Sequence, residues 1–126
     1  MNLYPVKRVT DSRGNLIEVF DTQLSSSGYV YSFSLLPGSR RGDHFHRVKE
    51  EWAVCISGEV QVLTKSPEGE LESHIISSEN PQLVYFPPLT AHAFVNQSEK
   101  IALVVSYGSK KFNSIDLDTY PQFLAE

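Results

Sequence analysis

The sequence predicts an all-β protein, built as a sandwich or barrel, and three observations point there. Apolar residues recur with period two rather than 3.6 along most of the 126 residues. Gly or Pro interrupts every stretch long enough for a substantial helix, and turn signals separate many short segments at regular spacing.

Taken in order, Asp11-Ser12-Arg13-Gly14-Asn15 reads as a turn opening into a strand over residues 16–20. The next strand, residues 29–36, places Tyr29, Tyr31, Phe33 and Leu35 on one face and stops at Pro37-Gly38. Further strands are expected over residues 52–56, 59–64, 72–76, 83–86, 92–95 and 101–107. Their punctuation is Ser57-Gly58, Ser66-Pro67-Glu68-Gly69, Asn80-Pro81, Pro87-Pro88 and Ser98-Glu99. Residues 109–126 lose the alternation, and Tyr120, Phe123 and Leu124 are expected to pack against the barrel or a partner subunit.

Composition bounds the function. A chain of 14.2 kDa supports one packed core, so residues 1–126 are expected to form a single domain. Net charge is -4 with a pI near 5.5 and no basic run, which gives no attraction to nucleic acid or to an anionic membrane surface. No run of about 20 apolar residues is present to span a bilayer, and the N-terminus lacks the pattern of a secretory signal. Cys55 is the only cysteine, so no internal disulfide forms and a cytoplasmic protein is expected. Cys55 itself reads as a small apolar residue of the interior. A small barrel leaves open sheet edges, so a homodimer is expected, with residues 4–9 or 120–124 at the contact.

Three of the four histidines fall into one pattern. His44 and His46 share a face if they lie on a strand, Glu51 shares a parity with Ala53 and Cys55, and His92 shares one with Phe94. If these segments face one another inside a barrel, three imidazoles and a carboxylate converge. Such a set suits zinc, iron, manganese or nickel. Trp52, of opposite parity to Glu51, is expected on the outer face, and His74 at the surface.

The spacing Gly38-x5-His44-x-His46-x4-Glu51-x6-Gly58 matches the first cupin motif. Pro87-x-Leu89-x2-His92-x3-Asn96 matches the second except that Leu89 stands where a Gly is usual. The chain thus resembles the cupins, and the resemblance implies a double-stranded β-helix, a jelly-roll barrel, holding a metal between facing sheets. A narrower likeness rests on Asp11-x-Arg13-Gly14, Glu18, Arg41-Gly42-x-His44-x-His46, Pro87-Pro88, His92 and Asp118-Thr119-Tyr120. These elements are similar to the sugar-nucleotide-modifying cupins of bacterial surface polysaccharide pathways. Among them are the zinc-bearing C-terminal cupins of capsular polysaccharide epimerase/reductases, and the metal-free 3,4-ketoisomerases and 3,5-epimerases.

That resemblance implies an epimerase or isomerase of a nucleotide-linked 4-keto-6-deoxy sugar, with a divalent metal, most simply zinc, on His44, His46, Glu51 and His92. The accompanying reductase is expected elsewhere. A metal-free enzyme would instead use His44 or His46 as its base, and a non-catalytic sugar-binding cupin is a third reading. Tyr31 and Tyr107 are candidates for proton transfer, beside Tyr85, Lys49 and His74. Arg40 and Arg41, then Arg13 and Lys49, are candidates for the diphosphate, because guanidinium groups hold it by paired hydrogen bonds.

Overall fold

The computed structural model describes residues 1–20, 23–111, 115 and 117–125. Twelve strands are present among them, and no helix. In chain order they are β1 (Asn2–Pro5), β2 (Arg8–Asp11), β3 (Gly14–Ile17), β4 (Tyr29–Leu35), β5 (Arg40–Phe45), β6 (Glu51–Ser57), β7 (Glu59–Lys65), β8 (Glu72–Ser77), β9 (Gln82–Phe86), β10 (Ala91–Val95), β11 (Ala102–Gly108) and β12 (Tyr120–Pro121). All pairings are antiparallel. One sheet runs β1-β9-β6-β11-β4 and the other β12-β5-β10-β7-β8. The two sheets make a jelly-roll barrel of the cupin type, and β2 and β3 form a separate hairpin.

The alternation read from the sequence explains this layout. On β6, Ala53 and Cys55 point inward and join Val60, Val62, Val84 and Val104 in a core that excludes water. Cys55 is fully buried, and burial pushes its thiol up to about 11, which makes it an inert core residue as expected.

Four strands, β1, β2, β5 and β12, are missing from the sequence reading, and β3 is displaced from its expected place. The N-terminal strand β1 was not foreseen; it adds to the edge of β9, with Leu3 opposite Val84. The strand expected over residues 16–20 lies instead at Gly14–Ile17, where Val9 pairs with Leu16. In the tail, β12 pairs with β5 and Leu124 packs against the barrel as expected, beside Leu63, Ala91 and Ala93, whereas Phe123 stays exposed. Residues 112–114, 116 and 126 of the tail lie outside the described residues.

Two turns place the site, and both adopt positive φ. Gly42, at φ 95°, sits in a bulge where β5 carries one residue more than β10: His44 pairs with His92 and Gly42 with Ala93, leaving Asp43 as the extra residue. A Cβ on Gly42 would meet the His92 carbonyl oxygen at 2.7 Å, so no other residue fits. Leu89, at φ 72°, keeps the turn that Gly makes in the second motif, although it carries a side chain; its N–H donates to the His46 carbonyl at 2.6 Å. The departure from the motif is therefore absorbed as backbone strain, and the turn is kept.

Opposite effects are expected at these two positions. Gly42→Ala costs on the order of 2 kcal/mol or more, from strain plus the clash with the His92 carbonyl. Leu89→Gly relieves a strained half-exposed residue and gains about 1 kcal/mol, less the added chain entropy of Gly. Urea melts of the two variants read both, and a Leu89→Gly protein less stable than its parent contradicts the strain argument.

Candidate metal centre and substrate pocket

The bulge sets the faces of β5. A regular strand would put Arg41 and His44 on opposite sides, but the extra residue between them brings both inward: Arg41 pairs with Phe94 and His44 with His92. Arg40 is turned outward for the same reason. It is held there by Asp43, at 2.6 and 2.8 Å, by the Leu124 carbonyl at 2.8 Å and by the ring of Phe123.

From the facing sheet, β6 contributes Glu51 and β4 contributes Tyr31. The ligand atoms of His44, His46, Glu51 and His92 all lie within 4.8 Å of one another, with His44 half-buried and the other three buried. The spacing read from the sequence thus meets at one place.

The donor chemistry fits a cation. His46 Nδ1 lies 2.7 Å from the Asp118 carbonyl oxygen, which only accepts, so Nδ1 carries the hydrogen. In the neutral ring Nε2 then presents a bare lone pair, and it is buried without a hydrogen-bond partner against Glu51 Oε1. Two electron-pair donors in close contact need a shared positive centre, either a proton or a metal ion. His92 Nδ1 faces the Thr90 carbonyl at 3.4 Å, which likewise leaves Nε2 for the cluster.

Protonation follows from burial and neighbours. Desolvation lowers His92 to about 4, and desolvation with His46 nearby lowers His44, so both rings are neutral and able to ligate at neutral pH. Burial alone would raise Glu51, but His46, His92 and the Tyr31 hydroxyl outweigh it and hold the carboxyl at about 2. Tyr31 donates to Glu51 Oε2 at 2.5 Å, and burial plus that carboxylate raise its pKa strongly, so the phenol keeps its proton. Lys49 is also buried here, with Nζ 2.8 Å from the Tyr29 hydroxyl and 3.6 Å from Glu51 Oε1.

Beside the cluster opens a cavity of about 530 Å³ lined by Tyr31, Phe33, Arg41, His44, His92 and Phe94, with Ser32 and Ser34 at its rim. Arg41 reaches over the ring of Phe33. Of the other sequence candidates, Arg13 lies on the β2–β3 hairpin, paired with Asp11 at 2.7 Å and away from the site. Tyr107 stands on the other face of its sheet, against Trp52 and Phe20, and its hydroxyl accepts from the Ser25 N–H at 2.7 Å. It is a packing residue, and its parity on β11 puts it with Trp52 rather than with Glu51. Trp52 lies on the outer face, as expected. It borders a second cavity of about 560 Å³ that holds none of the cluster residues. His74 bonds Gln82 at 2.9 Å, remote from the cluster, and Tyr85 bonds Glu50 at 2.5 Å outside the barrel.

One contributor escaped the sequence reading. The carboxylate of Asp118 accepts from the N–H groups of Arg47, Val48 and Lys49 at 2.9 to 3.0 Å, while its carbonyl takes His46 Nδ1–H. The only sequence signal was its place in Asp118-Thr119-Tyr120.

A jelly roll with three imidazoles and one carboxylate converging between its sheets defines a cupin. This chain belongs to the polysaccharide biosynthesis C-terminal domain family, whose profile matches residues 9–120. It is 26% identical over 118 residues to UDP-2-acetamido-2,6-beta-L-arabino-hexul-4-ose reductase of Pseudomonas aeruginosa, an alignment covering 93% of this chain and 31% of that protein. The chain therefore spans about a third of that relative's length. Among solved structures, the capsular polysaccharide assembling protein CapF of Staphylococcus aureus superposes with a TM-score of 0.75 at 23% identity, over 96% of this chain and 35% of CapF. A dTDP sugar isomerase from Desulfovibrio desulfuricans reaches 0.85 at 16% identity, over 95% and 82% of the two chains. QdtA, a sugar 3,4-ketoisomerase from Thermoanaerobacterium thermosaccharolyticum, gives 0.75 at 20% identity, over 97% and 88%.

The buried cluster predicts how the metal-free protein responds to acid. The unfolded chain takes up a proton on His92 near pH 6.5, whereas the folded site resists until about 4, so stability is complete above 6.5 and falls as the pH drops toward 4. Over that interval the loss is on the order of 3 kcal/mol from His92. Glu51, held at about 2 against an ordinary 4.5, adds a further loss below pH 4.5. Urea unfolding of chelator-treated protein at pH 7.5 and 4.5 measures the change, and equal midpoints would contradict the buried neutral imidazole.

Proposed function

We propose that the protein is an epimerase or isomerase of a nucleotide-linked 4-keto-6-deoxy sugar in bacterial surface polysaccharide biosynthesis, with residues 1–126 as one catalytic cupin domain. The observation that carries this reading is the inward cluster of His44, His46, Glu51 and His92 opening onto a pocket that also holds a phenol and a guanidinium. The names of its relatives support the substrate class: a UDP-linked hexulose reductase, a dTDP sugar isomerase, and a sugar 3,4-ketoisomerase solved in complex with TDP.

Carbon next to a carbonyl is acidic, and moving its proton inverts a centre or shifts the ketone. Held by His44, His46, Glu51 and His92, a divalent cation, zinc in this reading, would supply a Lewis acid for the negative charge that develops on the carbonyl oxygen. The chain's own residues do the rest. Arg41 offers paired N–H groups to the diphosphate at the mouth of the pocket. Phe33 and Phe94 give an apolar wall for the deoxygenated end of the sugar. Tyr31, kept protonated by burial and by Glu51, lines the pocket and returns a proton to carbon, while the proton removed from the other face leaves to solvent water in the open pocket, which also re-protonates Tyr31.

A metal-free ketoisomerase is the second reading, and one observation favours it. His44 is the half-buried member of the cluster, lines the pocket and is held neutral by burial, as a general base requires. The same proposal includes a cytoplasmic homodimer. Support comes from the separate β2–β3 hairpin, which leaves Val9 and Leu16 exposed and, as a two-stranded unit, is marginal alone.

UDP- and dTDP-4-keto-6-deoxy sugars incubated with the protein in heavy water should gain deuterium beside the carbonyl, read by NMR. No exchange with any of them removes the enzymatic reading. Exchange that survives complete removal of metal selects His44 as base. Tyr31→Phe is expected to lower turnover about 10²–10⁴-fold with KM nearly unchanged. Arg41→Ala is expected to raise KM about 10–100-fold, the worth of a charged hydrogen-bond pair of roughly 1.5–3 kcal/mol.

A further inference from the structure

The segment from Asp118 to Leu124 lies on the outside of β5, yet it touches the inside of the barrel through one residue. Asp118 holds φ 47°, in the left-handed region that Asp and Asn enter more readily than other residues with a side chain. Both its polar groups are engaged on the same stretch of chain: the carbonyl by His46 Nδ1–H, the carboxylate by three successive N–H groups of Arg47, Val48 and Lys49. That stretch joins His46 to Glu51, two residues of the cluster. The rest of the segment is tied to β5. Tyr120 stacks on Phe45 and lies under Arg47, and the N–H groups of Gln122 and Leu124 donate to the Asp43 carbonyl and carboxylate at 2.7 and 3.0 Å.

We infer that Asp118 is a positioning residue of the metal centre and that the C-terminal segment is a strap whose docking is coupled to metal binding. It rests on the metal reading of the cluster. The physical link is the tautomer. With Nδ1–H committed to the Asp118 carbonyl, His46 presents Nε2 to the cluster and its ring cannot turn; a backbone carbonyl in this place raises ligand basicity and fixes orientation. The carboxylate does the same for the loop, since three N–H groups pulled onto one anion fix the path from His46 to Glu51. Coupling runs both ways: if docked Asp118 strengthens metal binding, bound metal strengthens the docking of the strap by the same factor.

The test uses full-length protein and Co²⁺, whose visible absorption reports coordination and whose affinity is read by chelator competition. Asp118→Asn keeps an oxygen for the Arg47 N–H and a side chain that tolerates positive φ, but loses the charge and the second oxygen that Val48 and Lys49 use. It should bind Co²⁺ about 10-fold more weakly, and Asp118→Ala up to about 100-fold, with an altered absorption band. Phe123→Ala, which removes an exposed side chain from the Arg40 contact and leaves every hydrogen bond of Asp118, Gln122 and Leu124 in place, should leave the affinity within twofold. A structural role alone would lower the melting temperature of all three variants without moving cobalt affinity or spectrum. Hydrogen exchange on the unaltered protein needs no variant: Zn²⁺ should slow exchange at residues 47–49, 122 and 124. Folded Asp118→Asn with unchanged affinity, or exchange at those amides indifferent to zinc, overturns the coupling while leaving the metal site standing. Unaltered protein that binds neither ion overturns both.

Discussion

The contact between His46 Nε2 and Glu51 Oε1 governs this structure. Both atoms are buried, and the Asp118 carbonyl on the far side of the imidazole takes the Nδ1 hydrogen, so that a neutral ring turns the lone pair of Nε2 toward the carboxylate. Two lone pairs held together inside a protein repel, and a buried carboxylate costs several kcal/mol unless it is compensated. The neighbours are arranged accordingly. Tyr31 donates to the second carboxylate oxygen, Lys49 brings a positive charge to within 3.6 Å of the first, and neutral His44 and His92 complete the ring of donors. The pair needs a positive centre between its two atoms, which a proton on Nε2 or a metal ion can supply, and the four converging donors suit the metal ion.

Delivering those groups takes two irregularities that a regular sheet could not supply. The bulge at Gly42 and Asp43 puts Arg41 on the same face as His44, so one strand offers both a ligand and a cation to the pocket. The turn at Leu89 brings its N–H onto the His46 carbonyl and starts β10 in the register that sets His92 opposite His44. Each is a strained position, and strain of this sort persists where the surroundings over-determine it. Asn96 steadies the other end of β10 by donating to the carbonyls of Leu35 and Lys100, which accounts for its place in the second motif as a structural residue.

The ligand set was legible because the relation between His44 and His46, between Glu51 and Ala53, and between His92 and Phe94 is local and has period two. The face bearing Tyr29, Tyr31 and Phe33 was legible for the same reason, and all three lie inward. Parity fails where one residue is inserted. Nothing local in Arg40-Arg41-Gly42-Asp43 says which arginine turns inward, because the answer depends on the close approach of the His92 carbonyl to Gly42. Tyr107 misled in another way: β11 is largely buried on both faces, so burial and an aromatic side chain do not reveal which side meets the cluster. Short strands such as β1 and β12 take their pairing from partners far along the chain, and their own four and two residues carry almost no periodicity to read.

The ligands come from both sheets, which ties function to stability. His44 and His92 lie on the sheet containing β5 and β10, and His46 directly follows β5; Glu51 belongs to the sheet containing β6. Elsewhere between the sheets, valines, alanines and phenylalanines fill the interior and hold the layers by excluding water. At the site that filling is replaced by imidazoles, a carboxylate, an ammonium and a phenol, which gain little by burial and must be satisfied by one another. An ion there would cross-link the layers at the place where apolar packing is absent, so binding free energy becomes folding free energy. The same substitution of polar groups for core leaves a cavity beside the cluster rather than a packed interior. A site able to hold an ion and a sugar is, on this view, the region where the barrel has given up its own cohesion, and the strap across β5 supplies part of it from outside.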